Sequence, residues 1–141
     1  MEKKRLLAAG EKAGLQSITN NSPDHECGTH AGFLFEDEST ARSFSNGLKS
    51  RGVGNFLPMD TGRHVYTRWE PIMREQGAHH AALDPFKIPA NAKCKVKYRS
   101  DMCADSLRLL ARTVLVGTHP DYDAARMRQM VAAVRTAGET A

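Results

Sequence analysis

Apolar residues along this chain change from helical spacing to strand spacing and back, and this alternation restricts the possible folds more than any other feature. Residues 29–36 place apolar side chains on both faces, which is typical of a mostly buried strand. The β-branched residues of 113–116 predict another strand. Spacing of three and four residues indicates amphipathic helices over residues 6–13, 41–48, 103–110 and 127–134.

Residues with known positional preferences mark the ends of these helices. Asp37 or Ser39 precedes the second helical stretch, and a short side-chain oxygen there can accept a free N–H of the first turn. Gly52 follows the same stretch, where glycine is favoured. The last helix is predicted to open at Pro120 and to close at Gly138.

Residues 53–98 are less regular than the rest. Short strands are possible at 53–57 and 64–67, and 76–92 reads as a long irregular loop. Residues 93–99 alternate between basic and apolar side chains, which predicts a half-exposed strand or extended segment. The order of elements predicts an α+β fold, with helices packed on one face of a small, mainly antiparallel sheet.

The length of the chain suits one domain. Its 141 residues fall in the usual range for a single domain, so we expect residues 1–141 to fold as one unit. The apolar stretches are far shorter than the roughly 18 residues that a membrane-spanning helix needs, and no secretory signal is apparent. Three cysteines cannot all pair with one another. We therefore expect a cytoplasmic protein with reduced thiols.

The charge is unevenly distributed. The formal net charge is +4, but residues 1–40 carry four Lys or Arg against seven Asp or Glu, so the excess of positive charge lies in the remainder. A basic surface attracts nucleic acid, anionic membranes or acidic metabolites. An ordinary solvated surface is the other interpretation. The aromatic content of 6% shows no basic and aromatic stripe of the kind that binds single strands, so nucleic acid is disfavoured.

Histidine and cysteine are concentrated near one turn. His25, Cys27 and His30 form the pattern H-x-C-x2-H, and imidazole and thiolate are ligands that zinc prefers. The spacing matches none of the familiar structural zinc patterns, and no C-x-x-C is present. A metal site is one interpretation, and separate loop and core residues are the other.

The stretch HVYTRWEPI, residues 64–72, is the richest in chemistry. It combines a histidine, two aromatic side chains and opposite charges, and it contains the single tryptophan, Trp69. An aromatic ring offers a flat wall to a sugar or another ring, and His or Tyr supplies hydrogen bonds. The alternative is a core Trp and Tyr beside a surface His.

Four stretches resemble one known family. Residues 31–53 (AGFLFEDESTARSFSNGLKSRGV) resemble its strand–helix unit, in which an acidic turn joins the two elements. Residues 103–134 (CADSLRLLARTVLVGTHPDYDAARMRQMVAAV) resemble its closing helix, strand and helix. HVYTRWEPI and GAHHAALDPF are similar to one branch, which includes the enzyme that makes 8-amino-3,8-dideoxy-manno-octulosonate. The family is that of the DegT/DnrJ/StrS sugar aminotransferases.

The resemblance implies a fold-type I, homodimeric enzyme that uses pyridoxal phosphate. In that family the catalytic lysine and the cofactor-binding residues lie in a large domain that precedes the region seen here. No lysine of this chain has the Ser- and Phe-rich, glycine-followed setting of the family's catalytic lysine: they are Lys3, Lys4, Lys12, Lys49, Lys87, Lys93, Lys95 and Lys97. Transamination needs such an amine to form an imine. We therefore expect this chain to be the small C-terminal domain of a larger enzyme, without the N-terminal large domain. By itself it should bind no pyridoxal phosphate and should be inactive.

The resemblance also implies which residues contact a sugar. In relatives the loop after the second strand carries a substrate-facing histidine, and residues 57–71 occupy that position here. His64 is the matching residue, with Tyr66 and Trp69 as neighbours. Charge alone, and not the resemblance, suggests that the face of Lys95 and Arg99 meets a substrate carboxylate or phosphate. A solvated face is the other interpretation. The implied reaction is amino transfer to a keto or aldehydo sugar, in cell-surface or secondary-metabolite sugar synthesis.

Two other functions compete with this interpretation. The chain would be an autonomous binding or dimerisation module, or, less readily, a metal-binding protein that uses His25, Cys27 and His30. If it is the small domain, its partners are the missing large domain, a second copy and the sugar, with neither nucleic acid nor membrane. An apolar surface would then be exposed where the large domain docks.

Overall fold

Helices and an antiparallel sheet form an α+β fold, which confirms the predicted fold class. A computed structural model describes residues 2–77, 79–94 and 96–141. The elements are α1 (Glu2–Lys12), β1 (Gln16–Ser17), β2 (His30–Leu34), α2 (Glu38–Ser50), β3 (Asn55–Phe56), α3 (Glu70–Met73), α4 (Ala104–Ala111), β4 (Thr113–Gly117) and α5 (Ala124–Glu139). None of these described helices has the length and apolar character needed to cross a membrane.

The sheet has the strand order β1-β2-β4-β3, and every pairing is antiparallel. In the central pair, Ala31 lies opposite Val116 and Phe33 opposite Val114. Side chains alternate along a strand, so these four point to the same face. All four are fully buried there. Helices α1, α2 and α5 cover this face, as the periodicity predicts.

Aromatic rings and one close approach define the core beneath the helices. The Phe44 ring of α2 lies 5.6 Å from the Phe33 ring and 5.0 Å from the Phe35 ring, between ring centroids. On α1, a Cβ added at Gly10 would lie 2.3 Å from the Phe33 ring. Glycine at this position therefore lets α1 approach the sheet more closely than any other residue would allow.

The helix ends largely match their predicted signals. Asp37 is the N-cap of α2, and its carboxylate accepts a hydrogen bond from the Thr40 backbone N–H at 2.8 Å. Helix α5 differs from the prediction because Asp123, rather than a residue near Pro120, is its cap. The Asp123 carboxylate accepts from the Arg126 backbone N–H at 2.7 Å, so the helix begins at Ala124. The helix also continues through Gly138 to Glu139.

The prediction of a short strand at residues 64–67 is wrong. The backbone N–H of Arg68 bonds to the Val65 carbonyl at 3.0 Å, and that of Trp69 bonds to the Tyr66 carbonyl at 2.9 Å. These short-range bonds form a 3-10 turn over Tyr66–Arg68. Local bonds of this kind take the backbone groups that a strand would offer to a neighbour.

Of the half-exposed strand or extended segment predicted at 93–99, the strand is not formed by the residues that the structure describes there. Cys94 is exposed and Val96 is 53% exposed, whereas Tyr98 is half-buried, so the apolar side of the alternation is only partly covered. The described sheet ends at β1 and β3, which leaves this segment without a strand partner. Lys95 lies outside the described residues.

The irregular loop at 76–92 is organised around the carboxylate of Asp84. Its Oδ1 atom accepts hydrogen bonds from the backbone N–H groups of Gly77 at 3.2 Å and Phe86 at 3.0 Å. The Lys87 Nζ atom lies 3.0 Å from Oδ2, and the Asp84 side chain is fully buried. Lys87 first, and then these N–H groups, hold the pKa of Asp84 below its ordinary value of 3.8.

Asp84→Asn is expected to destabilise the loop in a pH-dependent manner. Because the pKa is lowered in the folded state, the ionised carboxylate stabilises the fold above about pH 4, and this stabilisation disappears as the pH falls through the lowered value. Melting curves of the chain and the variant at pH 6 and pH 3 should show a difference in melting temperature that shrinks at the lower pH.

Asp101→Asn is the matched control, because Asp101 forms an ion pair on the surface, where such pairs contribute little. If the melting temperatures of the unchanged chain and of Asp84→Asn differ by the same amount at both pH values, the role assigned to the carboxylate is contradicted.

Candidate functional site

The loop that carries His64 has a fixed starting point directly after β3. Leu57 and Pro58 are buried at its beginning. Arg42 on α2 donates two hydrogen bonds to the carboxylate of Asp60, at 3.0 and 2.9 Å. The Arg42 guanidinium holds the pKa of Asp60 below its ordinary value. The loop is thus tied to the helical layer shortly before it reaches His64.

His64 is exposed, yet its ring is held in one orientation. The ring stacks on Phe56 with 5.9 Å between centroids and 29° between planes. Its Nδ1 atom lies 2.5 Å from the hydroxyl oxygen of Thr61. The same hydroxyl lies 2.9 Å from the Pro58 carbonyl, so it joins the imidazole to the turn at the start of the loop. Nδ1 is therefore engaged within the loop, and Nε2 is the ring nitrogen available to a ligand.

His64 lies at the margin of the second face of the sheet. His30 meets the Phe56 ring edge-on at 5.6 Å between centroids, so the three rings form a row: His30, Phe56, His64. Strand alternation and register place Gly32, Leu115 and Phe56 on this face. Unlike the helix-covered face, it is only partly buried, and Ile18 beside Gly32 is 38% exposed.

Tyr66 joins the His64 loop to the segment before α4. Its hydroxyl bonds to the carbonyl oxygens of Arg99, at 3.0 Å, and Met102. Loss of water around the hydroxyl raises the pKa of Tyr66. The hydroxyl hydrogen therefore bonds to backbone carbonyls within the protein. The ring of Tyr66 remains available to contact a ligand.

Arg99 is exposed and already paired. Its Nε atom lies 2.9 Å from Oδ1 of Asp101, and Nη2 lies 3.4 Å from Oδ2. This pair raises the pKa of Arg99 and lowers that of Asp101. An anionic substrate would have to compete with Asp101 for the guanidinium. The basic face predicted for Lys95 and Arg99 is described only at Arg99.

Trp69 is a surface residue rather than a core residue. It is 44% exposed and lies between the 3-10 turn and α3. Of the two interpretations of this stretch, the one with a core tryptophan is excluded. The ring is accessible to a ligand or to another protein surface.

The predicted metal ligands do not assemble into a site. The hydroxyl of Thr29 lies 3.1 Å from Nδ1 of His30 and 4.0 Å from Sγ of Cys27. Within residues 2–77, 79–94 and 96–141, no three His, Cys, Asp or Glu side chains come together as a group that could hold a metal ion. His30 instead contributes to the aromatic row.

The structure therefore places the predicted site residues beside neighbours that the sequence did not indicate. It brings Tyr66 to the backbone of Arg99, and it brings His64 to two residues that sequence reasoning missed, Phe56 and Thr61. Phe56 had a detectable signal, because it falls in a predicted short strand just ahead of the His64 loop. Thr61 offered no such signal, since its role depends on the turn that the loop adopts.

Comparison with models of known families and with curated proteins finds no match to this chain.

Proposed function

We propose that this chain is the small C-terminal domain of a sugar aminotransferase of the DegT/DnrJ/StrS type. It would act with a large domain that binds pyridoxal phosphate, in a homodimer, on a keto or aldehydo sugar. The observation that carries the proposal is the setting of His64. A histidine whose ring is held by stacking on Phe56 and by the contact between Nδ1 and Thr61, with Nε2 available, suits a hydrogen bond to a sugar hydroxyl.

The surroundings of His64 support a role at the margin of a shared cleft. Trp69 offers an exposed aromatic surface on the same loop, and aromatic surfaces bind sugar rings. The second face of the sheet, with Leu115 and Ile18, supplies apolar surface on which a large domain could dock. In this proposal the chain binds and orients the sugar, while the large domain supplies the reacting amine.

The described lysines do not fit the cofactor. An imine-forming lysine needs an enclosed site with a lowered pKa or an adjacent base. Lys3 pairs with Glu26, and Lys87 pairs with Asp84. The other described lysines are exposed: Lys4, Lys12, Lys49, Lys93 and Lys97. No step of the reaction is therefore assigned to a lysine that the structure describes.

The isolated chain is expected to form no internal imine with pyridoxal phosphate. Incubation with the cofactor should give no stoichiometric absorbance in the visible imine band and no adduct at one lysine after borohydride reduction. A complete aminotransferase of the family, treated in parallel, is the positive control. A reducible band that maps to a single lysine of this chain would refute the expectation.

The DNA upstream of Met1 provides the most direct test of the proposal. An in-frame or adjacent coding region for a large domain with its lysine would support the small-domain function. The rival is an autonomous dimerisation module, which the partly exposed sheet face also suits. No such coding region, together with a stable dimer in light scattering, would favour the rival.

A further inference from the structure

A groove runs between helices α1 and α5 on the side away from the sheet. The two helices pack side by side in the same direction, since Gly138 near the end of α5 approaches Ala13 just beyond α1. The groove has a volume of about 360 Å³. It is remote in sequence from the His64 loop and belongs to neither the sheet nor the predicted site.

The floor of the groove is apolar, and three of its four side chains are short. Ala8 is exposed and Val131 half-buried, while Ala9 and Met127 lie deeper. Small residues between two helices leave room for a third helix to approach closely. A helix in a groove of this kind binds through an apolar stripe spaced at three and four residues.

The rim of the groove is entirely cationic. Arg5 and Lys12 stand on α1, and Arg128 and Arg135 stand on α5. In each pair the residues are seven positions apart, or about 10 Å along the helix. All four are exposed, and no acidic residue lines the groove. Among the described residues none of the four takes part in an ion pair.

We propose that this groove binds an acidic amphipathic helix of another protein. The apolar stripe of that helix would rest on Ala8 and Val131. Its Asp or Glu residues, repeating every seven positions on both sides of the stripe, would meet the four cations. The site goes beyond the proposed aminotransferase function and does not depend on it.

The shape of the groove favours a helix over other anionic partners. Nucleic acid would use the cations but would leave the apolar floor unfilled. An anionic membrane is broad, and the proteins that lie on it insert large apolar side chains, whereas the outer apolar members of this floor are the short side chains of Ala8 and Val131.

The test uses the whole chain and a designed peptide. The peptide is a helix of about 18 residues with Glu at seven-residue spacing and Leu or Ala between. Its control is a scrambled peptide of the same composition. Fluorescence anisotropy should show saturable binding of the designed peptide and binding of the scrambled peptide that is about tenfold weaker.

Two variants separate charge from shape. The double variant Arg128→Glu/Arg135→Glu should weaken binding about tenfold or more, whereas Lys49→Glu, a single charge reversal at an exposed position of α2, should leave it nearly unchanged. Ala8→Phe fills the groove and keeps all four cations. Because Ala8 is exposed, this variant should fold normally and still lose most of the binding.

Three results would overturn the proposal: no binding of the designed peptide, equal binding of the scrambled peptide, or full binding by Ala8→Phe. Vesicles of phosphatidylserine and phosphatidylcholine, and a single-stranded oligonucleotide, are the competing probes. Tighter binding to either than to the peptide would also overturn it.

Discussion

Phe44→Ala is expected to reduce the free energy of unfolding by about 3–5 kcal/mol. The Phe44 ring is fully buried and contacts both Phe33 and Phe35, so it joins α2 to the central strand. Its removal loses apolar contacts and leaves a cavity beneath the helix. Because domains of this size are stable by only about 5–15 kcal/mol, urea denaturation should show a large drop in midpoint.

Trp69→Ala is the matched control for this prediction. The side chain removed is larger, but it is 44% exposed and lies outside the core cluster, so we expect a loss of only about 1 kcal/mol. Equal losses for the two variants would mean that Trp69 is anchored in the fold as deeply as Phe44, and would remove it from the proposed site.

If the chain is the small domain proposed above, His64→Ala in the full enzyme with its large domain is expected to lower kcat/KM for the sugar about 10- to 100-fold. This corresponds to about 1.4–2.7 kcal/mol of lost transition-state stabilisation, within the roughly 1–3 kcal/mol cost of leaving a buried hydrogen-bonding group without its partner. The bound cofactor should keep its spectrum, because His64 would contact the sugar and not the imine. Steady-state kinetics and cofactor absorbance measure the two effects separately.

Two further variants make the His64 result specific. Thr61→Val removes the hydroxyl that contacts Nδ1, so it should also lower kcat/KM but by less, and Thr61→Ser should restore it. His119→Ala makes the same chemical change at an exposed histidine before α5 and should have little effect. An intact enzyme that is indifferent to His64→Ala would remove the histidine from the site.

Local patterns predicted much of the fold because each element carries its own signal. The stripe of Ala41, Phe44 and Leu48 and the cap at Asp37 specify α2 through neighbours only three or four residues away. The predictions failed where an element depends on a partner that is distant in the sequence. The alternation at 93–99 is a sound strand pattern, but no described strand pairs with it.

The candidate site shows the same division between local and distant information. The composition of the His64 loop was visible in the sequence. The contact between His30 and Phe56 was not, because it arises only when β4 pairs with β2 on one side and β3 on the other. Residues at positions 30 and 56 become neighbours through a strand that lies far later in the chain, and no spacing rule connects them.

The hydrogen bonds of the Tyr66 hydroxyl also bear on where this chain can accept insertions and deletions during evolution. It bonds to carbonyls that lie 33 and 36 positions further along, and so fastens the two ends of the intervening excursion to each other. Closing a flexible loop becomes only slowly more difficult with length, by about 0.6 kcal/mol for each doubling. Insertions and deletions between these anchor points should therefore be tolerated without moving β3, α4 or the sheet. This excursion is where we expect lineages that share the fold to differ most in length.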